Sequence, residues 1–167
     1  HSIVRLGVCE YGSVGASSTI DCSFDMVESF RDLRVYKDAF RAARTIFRCS
    51  KSWPKEEKYA LTDQIRCSSR SVFANVAEAW RKRRYPKHFI SKLSDADAEA
   101  AETRAWLDTA LDHDYIDEST YDDLDATYDQ ISGSLVKMIT DPDRWCGPAD
   151  QVREEQAEYF TSTSLPK

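Results

Sequence analysis

From Leu33 to Met138 the apolar residues recur at steps of three and four, and prolines rather than strand-like alternation break the pattern. Such spacing stacks side chains on one face of an α-helix, and no stretch keeps a period of two long enough to make a strand. The first segment carries Leu33, Tyr36, Phe40, Ala43 and Phe47 on one stripe, with Val35, Ala39, Ala42, Ile46 and Cys49 on a second beside it. Together they cover about half the circumference, wider than the ~100° stripe of a surface helix. This helix is therefore expected to meet more than one neighbour.

Trp53-Pro54 ends the first helix, because the residue before proline avoids helical angles while proline suits a first helical turn. The second places Leu61, Ile65, Ser68, Val72, Asn75 and Ala79 on one stripe, with Ser69, Val76 and Trp80 alongside. A third runs from Pro86 to about His113 and buries Phe89, Leu93, Ala96, Ala100, Leu107 and Leu111; at ~1.5 Å per residue it is about 40 Å long. Asp117 caps the fourth, whose Tyr121, Leu124, Tyr128, Ile131, Leu135 and Met138 repeat until Asp141-Pro142. Short connections between four helices predict an all-α, antiparallel up-and-down four-helix bundle over residues 26–143.

The flanks differ in composition. Residues 1–25 hold three of the five glycines and a Ser-rich run, which predicts a poorly structured extension, placed by Met26 upstream of a natural start. Residues 144–167 form a tail with at most one short charged helix, Asp150 to Phe160. Arg5 and Gly7 interrupt Ile3, Val4, Leu6 and Val8, which argues against a secretory signal, and no apolar run suits a bilayer. The five scattered cysteines contain no C-x-x-C pair, so reduced thiols and a cytoplasmic location are expected.

Catalytic constellations are incomplete. A di-iron bundle needs Glu-x-x-His on two helices, and neither His88 nor His113 has a glutamate three residues before it. There is no G-x-S-x-G and no Gly-rich phosphate loop. Cys67 and His88 make a nucleophile and base only if the fold joins them; otherwise Cys67 is a buried structural thiol. Asp95, Asp97, Glu99 and Glu102 read either as a metal cluster or as a solvated acidic face. The expectation is a chain with no catalytic residues, metal or cofactor.

Charge carries more. Residues 27–92 contain 17 Lys or Arg against 7 Asp or Glu, while residues 93–143 contain 2 against 15. Arg34, Lys37, Arg41, Arg44, Arg48 and Lys51 recur at helical spacing opposite the apolar arc, and Arg81, Lys82, Arg83 and Arg84 add a basic connection. Such a stripe can track a phosphate backbone of RNA or DNA, pair with the acidic half within or between subunits, or meet an acidic protein partner. Trp80 and Tyr85 beside it are either stacking platforms or core or seam residues. Val35, Ala39, Ala42 and Ile46 are expected to stay partly exposed in a lone bundle and to form a subunit seam. Asn75 and Glu78 are assigned as buried polar structural residues, with Gln64, Arg66 or Arg70 as candidate partners of Asn75; the alternative for them is a ligand site.

The run Phe30-Arg-Asp-Leu33-x-Val35-Tyr36-x-x-Ala39, then Trp53-Pro54-x-Glu56-Glu57-x-Tyr59-x-Leu61-x-x-Gln64-x-Arg66 and Ser71-Val72-x-x-Asn75-Val76-Ala77-Glu78, resembles the four-helix-bundle proteins linked to intervening sequences of 23S ribosomal RNA genes. Phe89, Leu93, Glu102, Leu107, Ala110 and Tyr115-Ile116 extend the resemblance to about Ile139. This chain departs from the family at Ala79, where glycine is usual, and at Ala98-Glu99, where a Gly-Ser pair is usual. The family is similar, more distantly, to the pentameric, nucleic-acid-binding accessory protein of diversity-generating retroelements. The resemblance thus implies a homo-oligomer, five subunits being the best single count, with structured RNA as the first-choice partner. The competing class is an interaction or scaffold module that assembles through its charged faces without nucleic acid.

Overall fold

The computed structural model describes residues 27–146. The expected extension at 1–25 and the short helix at Asp150 to Phe160 lie outside them. Four long helices follow one another: α1 (Arg34–Cys49), α2 (Asp63–Lys82), α3 (Pro86–Asp112) and α4 (Glu118–Thr140), with a one-turn α5 (Asp143–Cys146) after Pro142. A 3₁₀ turn, Phe30–Asp32, leads into α1 behind a capping box in which the Ser29 amide donates to Asp32 Oδ2 at 2.9 Å. Glu56 and Glu57 sit in a second 3₁₀ turn, Lys55–Glu57, followed by a π-helical turn, Lys58–Thr62, so α2 proper starts later than Pro54 suggests.

Packing runs α1 on α2, α2 on α3, α3 on α4 and α4 back on α1. Each helix is antiparallel to the next, which closes the up-and-down bundle. Its core includes Ile46, Ile65, Val72, Phe89, Leu93, Leu107, Tyr128, Ile131 and Leu135, all at most 1% exposed.

The subunit seam expected at Val35, Ala39, Ala42 and Ile46 does not exist as an open surface. These residues are 4%, 0%, 3% and 0% exposed within a single chain. The wide arc of α1 is divided between α2 and α4, so both of its neighbours are intramolecular. Alanines let helix axes approach closely, which draws this stripe inward and leaves the bulkier one, with Phe40 and Phe47, at the margin.

Asn75 and Glu78 also depart from expectation. Asn75 is half-buried at the α2–α3 edge and Glu78 is exposed; the partner of both is Lys92, whose Nζ lies 3.4 Å from Asn75 Oδ1 and 3.2 Å from Glu78 Oε2. Neither Gln64, Arg66 nor Arg70 reaches Asn75. The buried polar contact across helices is instead Thr103 Oγ1 to Ser68 Oγ, 3.0 Å.

Trp53 ties the α1–α2 connection to the α3–α4 turn beside it by donating Nε1–H to the Tyr115 carbonyl at 3.1 Å. That turn ends α3 in a Schellman motif: the Tyr115 amide donates to Ala110 O at 2.8 Å and the Asp114 amide to Leu111 O at 3.0 Å. Asp114 holds the left-handed position at φ 57°. Left-handed backbone costs an L-residue about 1–2 kcal/mol, less for aspartate. Asp114→Gly is therefore expected to raise stability by roughly 1 kcal/mol, read as a higher urea midpoint at unchanged m. A lower midpoint would show that the unfolded-chain entropy of glycine dominates.

Candidate functional site

The outer face of α1 separates the basic stripe into two kinds of cation. Arg34 and Arg41 both pair with Asp38, Arg34 Nε lying 3.5 Å from Asp38 Oδ2. Lys37, Arg44 and Arg48 are exposed and have no carboxylate partner among the described residues. Lys51 sets its Nζ 4.9 Å from the Phe47 ring centroid. From α2, Arg66 and Arg70 approach the same ring at 5.0 and 5.5 Å, and Arg66 Nε donates to Ser50 Oγ at 2.8 Å.

Phe47 is 36% exposed and Phe40 45%. They are two helical turns apart, about 10 Å along α1. Phe40 lies beside Tyr36, with near-parallel rings 6.3 Å apart, and meets Phe73 of α2 edge-on at 5.3 Å. The α1–α2 face is thus a row of aromatic rings bordered by cations. The sequence pattern assigned Phe40 and Phe47 to the core stripe and named Arg66 and Arg70 only as candidate partners of Asn75. The available signal was the position of both phenylalanines within one helical step of Arg44 and Lys51.

Arg81 and Lys82 are exposed in the last turn of α2. Arg83 serves the fold: its guanidinium stacks 4.2 Å from the centroid of the buried Trp80 ring and donates to the Trp80 carbonyl at 2.7 Å. Trp80 is consequently a core residue, whereas Tyr85 is 39% exposed. Because the helices are antiparallel, this connection lies at the same end of the bundle as the start of α1 and the end of α4. Residues 27–37, 78–92 and 134–146 at that end contain 11 Lys or Arg against 5 Asp or Glu; residues 45–63 and 106–123 at the other contain 4 against 10. The molecule is polarised along its axis as well as across it.

The acidic α3–α4 side is opposite α1–α2. Arg104 is its internal counter-charge, with Nε 2.6 Å from Asp125 Oδ1 and Nη1 3.3 Å from Asp129 Oδ1. Tyr121 Oη donates to Asp108 Oδ1 at 2.7 Å, and this bond, then burial, pushes the phenol up to about 12. A raised phenol favours the folded state below its unfolded pKa near 10, and that contribution is lost as pH rises through 12. Tyr121 is expected to ionise late in an ultraviolet alkaline titration, together with Tyr128, whose phenol is raised further by complete burial. Asp108→Asn should bring one late tyrosine back toward 10 and leave the buried one; an unchanged number of late tyrosines would show that the Asp108 bond does not hold the Tyr121 proton.

Cys67 and His88 are not brought together. Cys67 sits in the second turn of α2 and His88 in the first turn of α3, which packs at the far end of α2, so they are separated by about 20 Å of helix. Cys67 is also exposed rather than a buried thiol. In the carboxylate cluster, Asp95 pairs with Lys92 at 3.1 Å, Glu102 accepts from Trp106 Nε1 at 3.0 Å, and Glu99 is raised by burial and then by Glu102 and Asp95. Among the described residues no group of three or more His, Cys, Asp or Glu is placed to hold a metal ion, and no helix is long and apolar enough to cross a membrane.

No curated protein matches this chain. A similar solved structure is the crystal structure of a protein with unknown function from the S23 ribosomal protein family of Bacteroides thetaiotaomicron VPI-5482. It is 29% identical, with TM-score 0.57, over 63% of this chain and 97% of that one. The 23S rRNA-intervening sequence protein family matches residues 31–137, which take in nearly all of the four helices. By that match, over a bundle with the expected helix order, the chain belongs to the 23S rRNA-intervening sequence protein family.

Proposed function

We propose that this protein is a non-enzymatic bundle that binds nucleic acid, structured RNA first, through the outer face of α1 and the end of α2. The observation that carries the reading is the set of exposed cations without carboxylate partners among the described residues, Lys37, Arg44 and Arg48, on the outer side of α1 opposite its buried stripe. Helices of ~10–12 Å diameter packed at ~8–10 Å put the outer faces of α1 and of α3, which lies diagonally across the bundle, about 20 Å apart, beyond the ~8 Å screening length at physiological salt. Phosphate at the outer side of α1 is therefore little repelled by α3, whereas α4 packs on α1 and brings Asp123 into the groove lined by Arg34 and Arg41. A gel shift of the protein with RNA and with DNA, across a salt series, tests the proposal. Steeply salt-dependent retardation supports it, and no retardation at low salt overturns it.

The same separation of charge favours a second reading, in which the basic face of one copy meets the acidic face of the next. Self-association, with five copies as the family-based count, then uses charged faces rather than the buried Val35 stripe. Light scattering at micromolar concentration distinguishes this: a mass near 19 kDa at low salt rules it out.

A further inference from the structure

We propose that the α1–α2 face takes unpaired nucleotides, with bases stacked on Phe40 and Phe47 and phosphates held by the cations around them. This rests on the nucleic-acid reading and narrows it to the unpaired segments of an RNA or to single-stranded DNA.

Phe40 and Phe47 keep part of their rings in water although each has neighbours within the bundle, Tyr36 and Phe73 for the first and Lys51, Arg66 and Arg70 for the second. Phe40 and Phe47 are 45% and 36% exposed, although the same helix fully buries Ala39 and Ile46. They share their face with Arg44 and Lys51 on α1 and with Arg66 and Arg70 on α2. This alternation of flat apolar surface and positive charge matches a chain of flat bases joined by phosphates. Three cations sit over the Phe47 ring within 5.5 Å of its centroid, so a phosphate that draws one of them off the ring brings its own base to the face that the cation leaves.

A duplex cannot use such rings. Its bases are stacked on each other, and the deep, narrow major groove of A-form RNA keeps side chains from the base edges. Unpaired bases present free π faces, and stacking on an aromatic side chain tolerates any base. The expected specificity is for strandedness, not sequence.

A short oligouridine, whose bases stack little on one another, and a blunt RNA duplex of equal charge are the probes. Wild-type protein should bind the single strand more tightly. Phe40→Ala and Phe47→Ala should each weaken single-strand binding by about 5- to 150-fold, the usual range for losing one base–aromatic stack, and leave duplex binding unchanged. Phe40→Leu with Phe47→Leu keeps apolar packing against Tyr36 and Phe73 and should show the same selective loss with unchanged circular dichroism. Phe40→Trp should retain binding.

If the leucine pair binds oligouridine as wild type does, while Arg44→Glu with Arg48→Glu loses both probes, the stacking proposal falls and the phosphate reading stands. If wild type binds neither probe at low salt, the nucleic-acid reading fails and takes this one with it. If the leucine pair lowers the solution mass without changing single-strand affinity, a second copy covers the rings and the proposal is overturned.

Discussion

Ala39→Glu is expected to leave no folded bundle at 25 °C. Ala39 has no exposed surface and lies on the α1 stripe that faces α2 and α4, between Val35 and Ile46. A carboxylate there is surrounded by apolar side chains. Its effective desolvation penalty is several kcal/mol, and the extra volume adds about 1–3 kcal/mol of overpacking. Domains of this size are stable by only about 5–15 kcal/mol, so the two effects together consume most or all of it. Loss of far-UV helicity with no cooperative melt is the expected measurement. Retained helicity with a smaller solution mass would instead place Ala39 in a subunit seam and restore the interpretation that burial excludes.

Arg44→Glu combined with Arg48→Glu is expected to abolish nucleic-acid binding while leaving the melting temperature within a few degrees of wild type. Both side chains are exposed, one turn apart, and neither supports the fold through an ion pair among the described residues. Arg41 is a poorer target because it is tied to Asp38. Lys37, Arg44, Arg48, Lys51, Arg81 and Lys82 offer about six phosphate contacts, and the salt slope of about −0.9 per contact gives a loss near 10³-fold between 50 and 200 mM salt. The double reversal removes two contacts and sets two carboxylates against the backbone. Its residual binding should fall below detection at physiological salt. Unchanged affinity would show that the α1 stripe does not touch phosphate. Collapse of an oligomer would show that the stripe serves assembly.

Helix order and boundaries were legible in the sequence because a helix is a local object. The starts at Pro86 and Asp117, the end at Asp141-Pro142 and the inward stripes of α3 and α4 follow from spacing, caps and prolines within a few residues of each. The start of α2 was less legible, since a π-helical turn at Lys58–Thr62 alters the spacing there. The segregation of charge across the bundle was also present, as a count over residues 27–92 against 93–143 and as a basic stripe on α1, whereas the one along its axis follows only from the antiparallel packing.

Which half of the α1 arc would be buried was not legible. Two adjacent apolar stripes look alike to a periodicity argument; the choice depends on where α2 and α4 dock and on the closer approach that alanines allow. That choice buried Ala39 and Ile46 and left Phe40 and Phe47 at the surface among cations from two helices. Asn75 likewise looked central on its own helix, yet the rotation of α2 against α3 put it at an edge, within reach of Lys92, and gave the buried polar contact to Ser68 and Thr103. A helix fixes which residues share a face from the sequence alone, because its repeat is set by backbone hydrogen bonds. Which face meets water is decided only when the other helices have taken their places.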